Sequence, residues 1–510
     1  MGGLGERQAG KKIAARPIRR LLVANRGEIA VRIFRTAREM QIGTVAVFAD
    51  ADAGALHLDH ADQAVSLGGG SLAETYLSIP RILDAARTGR ADAIHPGYGF
   101  LAENAELARA VEEKGLVWVG PPPEAIEEMG DKLRARSRMR KAGVPVVPGT
   151  DASAADDTTL ARRADDLGYP VLVKASAGGG GKGMSRVDRA ADLPRALDEA
   201  RRIAASTFGD DTVYLEKLLA RPRHVEFQVF GDRHGNAVHL FERECSVQRR
   251  HQKIMEETPS VALDEALRRA MGEAAVEAAR AVEYVGAGTI EFLLDADRRF
   301  YFLEANTRLQ VEHPITEEAL GLDLVRLQIE IAQGLELPAA WRKGELAPRG
   351  HAIEMRLYAE DPVDFLPRSG FVLAWVEPGG PGVRVDSGVA SGSTVSLDYD
   401  PLLAKLIVHA EDRPRAIERA LRALDELVVL GVETNRPLLA RVLRSKEFGS
   451  GDYDTGIVSR LPPPVPLPVP PAAWIAAALA FGDSARPDAP AATADPWEAA
   501  VNWRPGGPPG

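Results

Sequence analysis

An α/β chain, α+β overall and built from about three domains, is what the sequence predicts, and three observations carry the prediction. At 510 residues the chain is longer than one hydrophobic core usually serves, and its 45% hydrophobic content supplies ample core material. Residues 18–130 alternate short apolar strands, Arg20 to Ala24 and Thr44 to Phe48, with amphipathic helices, which is the pattern of an open parallel sheet. Further along, the β-type runs from Gly286 to Leu294 and from Phe300 onward flank a turn-like Asp295-Ala296-Asp297-Arg298, the signature of an antiparallel hairpin.

Met1 to Pro17 reads as a polar, frayed arm. The first strand of residues 18–130 runs into Asn25-Arg26-Gly27-Glu28, the strand-to-helix turn at which open sheets bind ligands. Tyr169 to Val187 begins with a short β-branched strand, Val171 to Lys174, and passes into Gly178, Gly179, Gly180, Gly181, Lys182 and Gly183. Glycines let successive backbone N–H groups turn toward an anion, and Lys174 and Lys182 add positive charge. No Ser or Thr follows the lysine and no capped helix follows the glycines, so this is neither a Walker loop nor a dinucleotide fingerprint. A glycine run alone is as consistent with a flexible surface loop.

Val213 to Leu219 is strand-like and ends on Glu216 and Lys217, a hinge that can offer backbone groups and a carboxylate to an adenine and its ribose. His224, Glu226 and Gln228 then alternate on one face of the next strand. Arg249, Arg250, His251 and Lys253 form a positive island in a chain of net charge −10, which suits a small polyanion, although a solvated basic loop is the ordinary reading. The hairpin at 295–298 sets Glu291 nearly opposite Glu304. Like charges across a ladder repel, and a divalent cation between them reverses the sign. With the Asn306 carbonyl oxygen they make a hard oxygen site of the kind Mg2+ fills together with phosphates. If the segment from Glu304 to Glu312 stays extended, Glu304, Asn306, Arg308, Gln310 and Glu312 share one face.

Residues 346–460 contain the strand-like V-R-V-D-S-G-V and D-Y-D-P-L-L-A-K, then a helix from Pro414 to Leu427. After Leu461 the proline run is expected to be extended, Ala472 to Phe481 to form a short apolar helix, and the Pro/Ala-rich remainder of 461–510 to be largely disordered. The single cysteine, Cys245, excludes an intrachain disulfide and reads as a buried structural thiol in a reduced, cytoplasmic setting. An acidic pI near 5.6 argues against nucleic acid, and no apolar stretch is long enough for a membrane span.

Several long strings together resemble the biotin carboxylase component of biotin-dependent acyl-CoA carboxylases, within the ATP-grasp superfamily. They are L-V-A-N-R-G-E-I-A-V-R-I at Leu22–Ile33, H-P-G-Y-G-F-L-A-E-N at His95–Asn104, M-G-D-K at Met129–Lys132, the glycine loop, R-R-H-Q-K at Arg249–Lys253, E-A-N-T-R-L-Q-V-E-H-P-I-T-E at Glu304–Glu317 and F-L-P-R-S-G at Phe365–Gly370. The resemblance runs from about Ile18 to Arg460. It implies a Rossmann-like N-terminal domain over 18–130, an ATP-grasp domain over 131–345 with a mobile lid near 148–220, and a mixed C-terminal domain over 346–460.

The resemblance also implies roles. Lys132, Lys174, Gly180 and Gly181 would contact ATP phosphates; Glu216, Lys217, Leu218 and Leu219 the adenine; His224 and His251 further parts of the nucleotide. Glu291, Glu304 and Asn306 would hold Mg2+ or Mn2+, and the two carboxylates would also serve the bound ATP. Lys253, Arg308, Gln310 and Val311 would form the bicarbonate and biotin site. Glu312 would be the base that deprotonates bicarbonate, Arg308 would stabilise the biotin enolate, and Arg356 would lie beside the biotin ureido oxygen or a phosphate. The stretch Arg26 to Arg32 would lie near a homodimer interface. No Met-Lys-Met occurs in the sequence, so the biotin is expected on a separate carrier protein, or beyond a truncation, with separate carboxyltransferase subunits. The rival readings are another ATP-grasp ligase, such as a carbamoyl-phosphate type, and a non-catalytic nucleotide-binding regulatory protein. R-R-H-Q-K and N-T-R-L-Q-V-E-H-P speak against the first, and the intact set of acids and bases against the second.

Overall fold

The computed structural model describes residues 15–150, 156–175, 184–209, 211–464 and 471–476. The chain divides into two compact units, Met1–Leu461 and Pro462–Gly510. In the second unit, residues 471–476 are helical, at the start of the predicted helix from Ala472 to Phe481; its later residues and positions 465–470 of the proline run lie outside the described residues.

The first unit opens with a five-stranded, wholly parallel sheet in the order Gln63–Gly68, Gly43–Ala49, Arg20–Val23, Ala93–His95, Val117–Trp118. This is the open sheet that the strand–helix alternation predicts. The helix Gly27–Glu39 buries Ile29, Ala30, Ile33, Phe34 and Ala37, a stripe at i, i+3 and i+4 spacing. Its entry needs a left-handed backbone, which Gly27 supplies at φ +62°. Asn25 ties that turn to a second loop, its Nδ2 donating to Pro96 O at 2.8 Å and Tyr98 O at 2.7 Å.

The main sheet has eight antiparallel strands in the order Phe300–Asn306, Gly286–Leu294, Arg223–Gly231, Ala237–Arg249, Gln252–Thr258, His351–Tyr358, Leu402–Ala410, Val383–Ser387. It runs unbroken across position 345. One face of its first half packs on the helix Glu265–Ala281 through Phe227, Phe292, Met271 and Ala275. The helices Arg413–Glu426 and Arg436–Arg444 cover Met255, Met355 and Leu406 in the second half.

A separate three-stranded antiparallel sheet orders Met184–Val187, Val171–Ala175 and Val213–Lys217, and packs on the helices Asp157–Leu167 and Leu193–Phe208. The glycine loop between its first two strands in sequence, with Gly180 and Gly181, lies outside the described residues.

Two predicted features take a different form. The hairpin forms as expected, with Glu291 paired to Glu304, but the strand stops at Asn306. From Thr307 the chain turns away, with Thr307 N donating to Glu103 Oε1 at 3.0 Å, and the helix His313–Leu320 starts directly after Glu312. Pro314 fits the first turn of a helix, and the single extended face from Glu304 to Glu312 does not exist. The positive island is also dispersed. Arg250 and His251 form the tight turn between Ala237–Arg249 and Gln252–Thr258, at φ +49° and +68°. Arg249 pairs with Glu360 at 2.5 Å, while Lys253 is drawn into the sheet among carboxylates.

Candidate active site

Two cavities of about 340 Å³ each are joined by a line of buried charges. The first lies between the three-stranded sheet and the start of the eight-stranded one. Lys132 opens the helix Lys132–Lys141, capped by Asp131, whose side chain accepts from Leu133 N and Arg134 N. Burial pulls the Lys132 amine down, against the Glu304 charge. No ion pair engages Lys132 among the described residues, so its charge is left for an anion in the cavity it lines. Lys174 donates to Glu216 Oε2 at 2.8 Å, and Arg136 donates to the other Glu216 oxygen. Burial works to lower the Lys174 amine, but Glu216 outweighs it and holds the amine above its ordinary value.

Glu216, Lys217, Leu218 and Leu219 line this cavity together with His224, His251 and Glu304. The Lys217 amine turns out of it, donating to Gly168 O at 2.5 Å, and Leu218 N is spent on Pro170 O at 3.2 Å. Every sequence-predicted nucleotide residue that is described therefore reaches this cavity, except Glu291, which stands one contact behind it. His224 Nε2 sits 2.7 Å from Glu291 Oε2.

Glu291 and Glu304 face each other on paired strands. Burial raises the Glu304 carboxyl and the Glu291 charge raises it further. Glu291 is buried as well, yet Lys253 and His224 hold it well below the usual carboxylate range. Two opposed carboxylates, Glu291 buried and Glu304 half-buried, one unrelieved of the other's charge, are a donor set that fits a hard divalent cation. Asn306 differs from expectation. Its Nδ2 donates to Glu291 Oε1 at 2.7 Å and its Oδ1 accepts from Arg308 Nη2 at 3.0 Å, so the amide must turn over before its oxygen joins that set.

Lys253 is the hub. Its Nζ donates to Glu226 Oε2 at 2.5 Å, Glu291 Oε1 at 2.7 Å and Glu312 Oε1 at 2.9 Å. Burial opposes its charge, but three carboxylates outweigh it and keep the amine well above its ordinary value. Burial also opposes ionisation of Glu312, yet Lys253, Arg356 and Arg243 hold that carboxyl well below the usual range. Arg356 Nη2 donates to Glu312 Oε2 at 2.8 Å.

Arg308, Val311 and Arg356 line the second cavity, between the parallel sheet and the eight-stranded sheet, with Tyr98, Tyr399 and Gln252. Arg308 is oriented by Glu103 Oε2 at 3.0 Å and Gln310 Oε1 at 3.0 Å. Gln310 is buried and also reaches Glu291 Oε1 at 3.4 Å.

The line His224–Glu291–Lys253–Glu312–Arg356 thus connects the two cavities. Glu103, Glu226 and Glu256 each contact a site residue without having stood out in the sequence as site residues themselves. Glu103 lies inside H-P-G-Y-G-F-L-A-E-N, and Glu226 alternates with His224. Nothing in the sequence marks Glu256, whose partner Arg356 is a hundred positions away. Arg26 and Arg32 are engaged within the chain, Arg26 with Asp52 at 2.7 Å and the buried Arg32 with Glu317 at 2.6 Å and Asp323 at 2.9 Å. Cys245 is buried, and burial pushes its thiol well above its ordinary value, as a packed structural cysteine requires.

Comparison with known proteins agrees with this geometry. The family models for the biotin carboxylase N-terminal domain, the carbamoyl-phosphate synthase L chain ATP binding domain and the biotin carboxylase C-terminal domain match residues 17–126, 131–340 and 354–460. A biotin carboxylase of Halalkalibacterium halodurans is 49% identical over 441 residues, covering 86% of this chain and 97% of that protein. Biotin carboxylase 2 of Bacillus subtilis is 48% identical over 441 residues, covering 86% of this chain and 99% of that protein. Among solved structures, a biotin carboxylase–β,γ-ATP complex from Campylobacter jejuni superposes with a TM-score of 0.84 at 43% identity, covering 87% of this chain and 99% of that one. The biotin carboxylase domain dimer of Hydrogenobacter thermophilus 2-oxoglutarate carboxylase, with MgADP, ADP and bicarbonate, gives 0.82 at 43% identity, covering 87% and 97%. The architecture is that of these ATP-grasp structures, and the chain belongs to the biotin carboxylase family.

Proposed function

We propose that this chain carboxylates biotin at the expense of ATP and bicarbonate, the first half-reaction of a biotin-dependent carboxylase. One observation carries the reading. The nucleotide-sized cavity with Lys132 and Lys174 is joined to the cavity with Arg308 and Arg356 by the Lys253–Glu312 contact, so a phosphate activated in one can be used in the other.

ATP lies in the first cavity, its phosphates toward Lys132 and Lys174. Glu291 and Glu304, with Asn306 after its amide turns, would hold a divalent cation, Mg2+ or Mn2+, whose charge would offset that spreading over the phosphates. Bicarbonate docks between Lys253 and Arg308. Glu312, already an anion, takes its proton; an anion arriving at Lys253 competes for the charge that suppresses Glu312 and so raises its basicity. The oxyanion attacks the γ-phosphorus, ADP leaves, and carboxyphosphate breaks to CO2 and phosphate. Phosphate takes the N1 proton of biotin, Arg308 stabilises the enolate, and N1 attacks CO2. Arg356 holds the biotin side of the site.

The division into domains at 18–130, 131–345 and 346–460 is part of the same reading and lies close to the limits of the family matches, and a lid near 148–220 belongs to it as well. A separate biotin carrier, carboxyltransferase subunits, a homodimer and a cytoplasmic location complete it. No helix among the described residues is long and apolar enough to cross a membrane, and the Hydrogenobacter thermophilus domain is a dimer in its structure. The test is ADP release with MgATP and bicarbonate, with and without free biotin. Bicarbonate-dependent release stimulated by biotin is the expected result; turnover indifferent to both overturns the reading.

A further inference from the structure

The eight-stranded sheet carries a seam of buried charge behind the second cavity. On one face Glu256 stands opposite Glu354, and Arg356 opposite Lys405, across three adjacent strands. The helix His313–Leu320 roofs this face, its Ile315 packing on Ala352 and Ile407. All four charged residues are buried.

The polar contacts leave a deficit. Glu256 Oε1 accepts from Arg356 Nε at 2.7 Å and from Nη2 at 2.5 Å. Glu256 Oε2 and both oxygens of Glu354 have no hydrogen-bond partner among the described residues. Lys405, the cation nearest in register, turns elsewhere, donating to Val311 O at 3.0 Å and lying 3.1 Å from Glu28 Oε2. Two ionised carboxylates directly opposed in the interior, with no cation between them, repel strongly and leave acceptors unsatisfied. One proton removes the repulsion and gives two of the three open oxygens a partner, because one carboxyl then donates and the other accepts.

We propose that Glu256 and Glu354 share one proton as a buried acid pair, and that Glu256, held in this way, is the positioning residue that fixes Arg356 against Glu312. Burial pushes Glu354 well above the usual carboxylate range, Lys405 opposing and Glu256 adding to it. Burial also pushes Glu256 up to about 7, against Arg356. The groups that bear on the pair are Lys253 and Tyr358 along the paired strands, Cys245 from Ala237–Arg249, Arg356 and Lys405 across the sheet, Glu312 and the buried neutral His313 at the roofing helix, and Glu28 beyond Lys405. As pH rises and the shared proton leaves, the pair gains a negative charge. Arg356 is then drawn toward Glu256 and its hold on Glu312 loosens. The kinetic part of this inference rests on the proposed biotin-side role of Arg356; the shared proton does not.

Infrared difference spectra of the full chain test the pair without turnover. The expected result is a neutral carboxylic-acid carbonyl band at neutral pH that bleaches as pH rises, is absent in Glu354→Gln and shifts in Glu256→Gln. A spectrum in which Glu354→Gln removes no such band overturns the pair. In kinetics, Glu256→Gln raises the KM for free biotin by about tenfold or more, the effect of losing a buried charge-assisted contact, and moves the KM for ATP by no more than about twofold. Glu354→Gln, whose amide still donates to Glu256, keeps the biotin KM but abolishes its rise at alkaline pH. Equal changes in both KM values, or no change in either, overturn the positioning role. If the wild-type chain shows no biotin turnover, the proposed function fails, and the spectra still decide the pair.

Discussion

Arg356 Nη2 donates to Glu312 Oε2 at 2.8 Å, and the same guanidinium is clamped from behind by Glu256. With Lys253 on the other Glu312 oxygen, the proposed base is an anion before substrate arrives, and its low basicity is set by Lys253, Arg356 and Arg243, the first two of which substrates compete for. Ground-state suppression of the base and its release by anionic ligands are thus two consequences of one arrangement.

Lys253 pairs with three buried carboxylates. Lys253→Met leaves them facing one another, and breaking such a cluster costs about 3–5 kcal/mol. Urea unfolding at neutral pH should show a loss of that order. A change within about 0.5 kcal/mol, the scale of an ordinary surface substitution, would contradict the hub role.

Arg308 contacts Glu103, Asn306 and Gln310 rather than the first cavity. Arg308→Ala should therefore lower biotin-dependent kcat by about 10²–10³, as loss of a transition-state charge stabiliser does, while ATP affinity stays nearly intact. Steady-state kinetics with ATP varied and biotin saturating make the distinction. A parallel collapse of ATP binding would place Arg308 in the nucleotide site instead.

Glu304 carries a carboxyl raised by burial and by Glu291 opposite it. Glu304→Gln removes half of the anionic donor pair and should raise the Mg2+ concentration for half-maximal turnover by about tenfold or more. The apo protein should meanwhile become no less stable, because a repulsion has been removed. Metal titrations of activity and thermal melts without metal read the two effects separately.

Glu257 ties the main sheet to the C-terminal helices. It accepts from Arg413 Nε at 2.7 Å and from Tyr453, and lies 2.6 Å from His351 Nε2. Burial works to raise its carboxyl, but His351 and Arg413 outweigh burial and hold it at about 2, against an ordinary 4.5. A depressed folded value means that the stabilisation is complete above the ordinary value and is lost as pH falls toward 2. The contribution is on the order of 3 kcal/mol. Unfolding free energies measured from neutral pH downward should fall through that window, and Glu257→Gln should be less stable at neutral pH and flatter in acid.

The parallel sheet of residues 18–130, the hairpin that opposes Glu291 to Glu304 and the helix near Pro414 were all legible in the sequence, because each rests on local periodicity and turn chemistry. The identities of Lys132, Lys174, Glu216, Arg308 and Glu312 followed from contiguous motifs. What the motifs could not supply was direction. Asn306 faces Glu291 with its amide nitrogen, Lys217 turns its amine out of the cavity, and the strand that should have carried Glu312 ends at Asn306.

Each of those outcomes depends on a partner remote in sequence. Glu103, some two hundred positions before Thr307, takes the backbone that would have continued the strand. Glu256, Glu354 and Lys405 acquire their meaning only because three strands separated by long connections lie side by side and exclude water from the charges they align. The sequence alone determined which elements form and which chemical groups the chain owns, since those depend on neighbours within a few residues. Only the tertiary structure decided which charges confront one another and which are left without a partner, because burial and long-range pairing, not residue type, set the energy of a charge inside a protein.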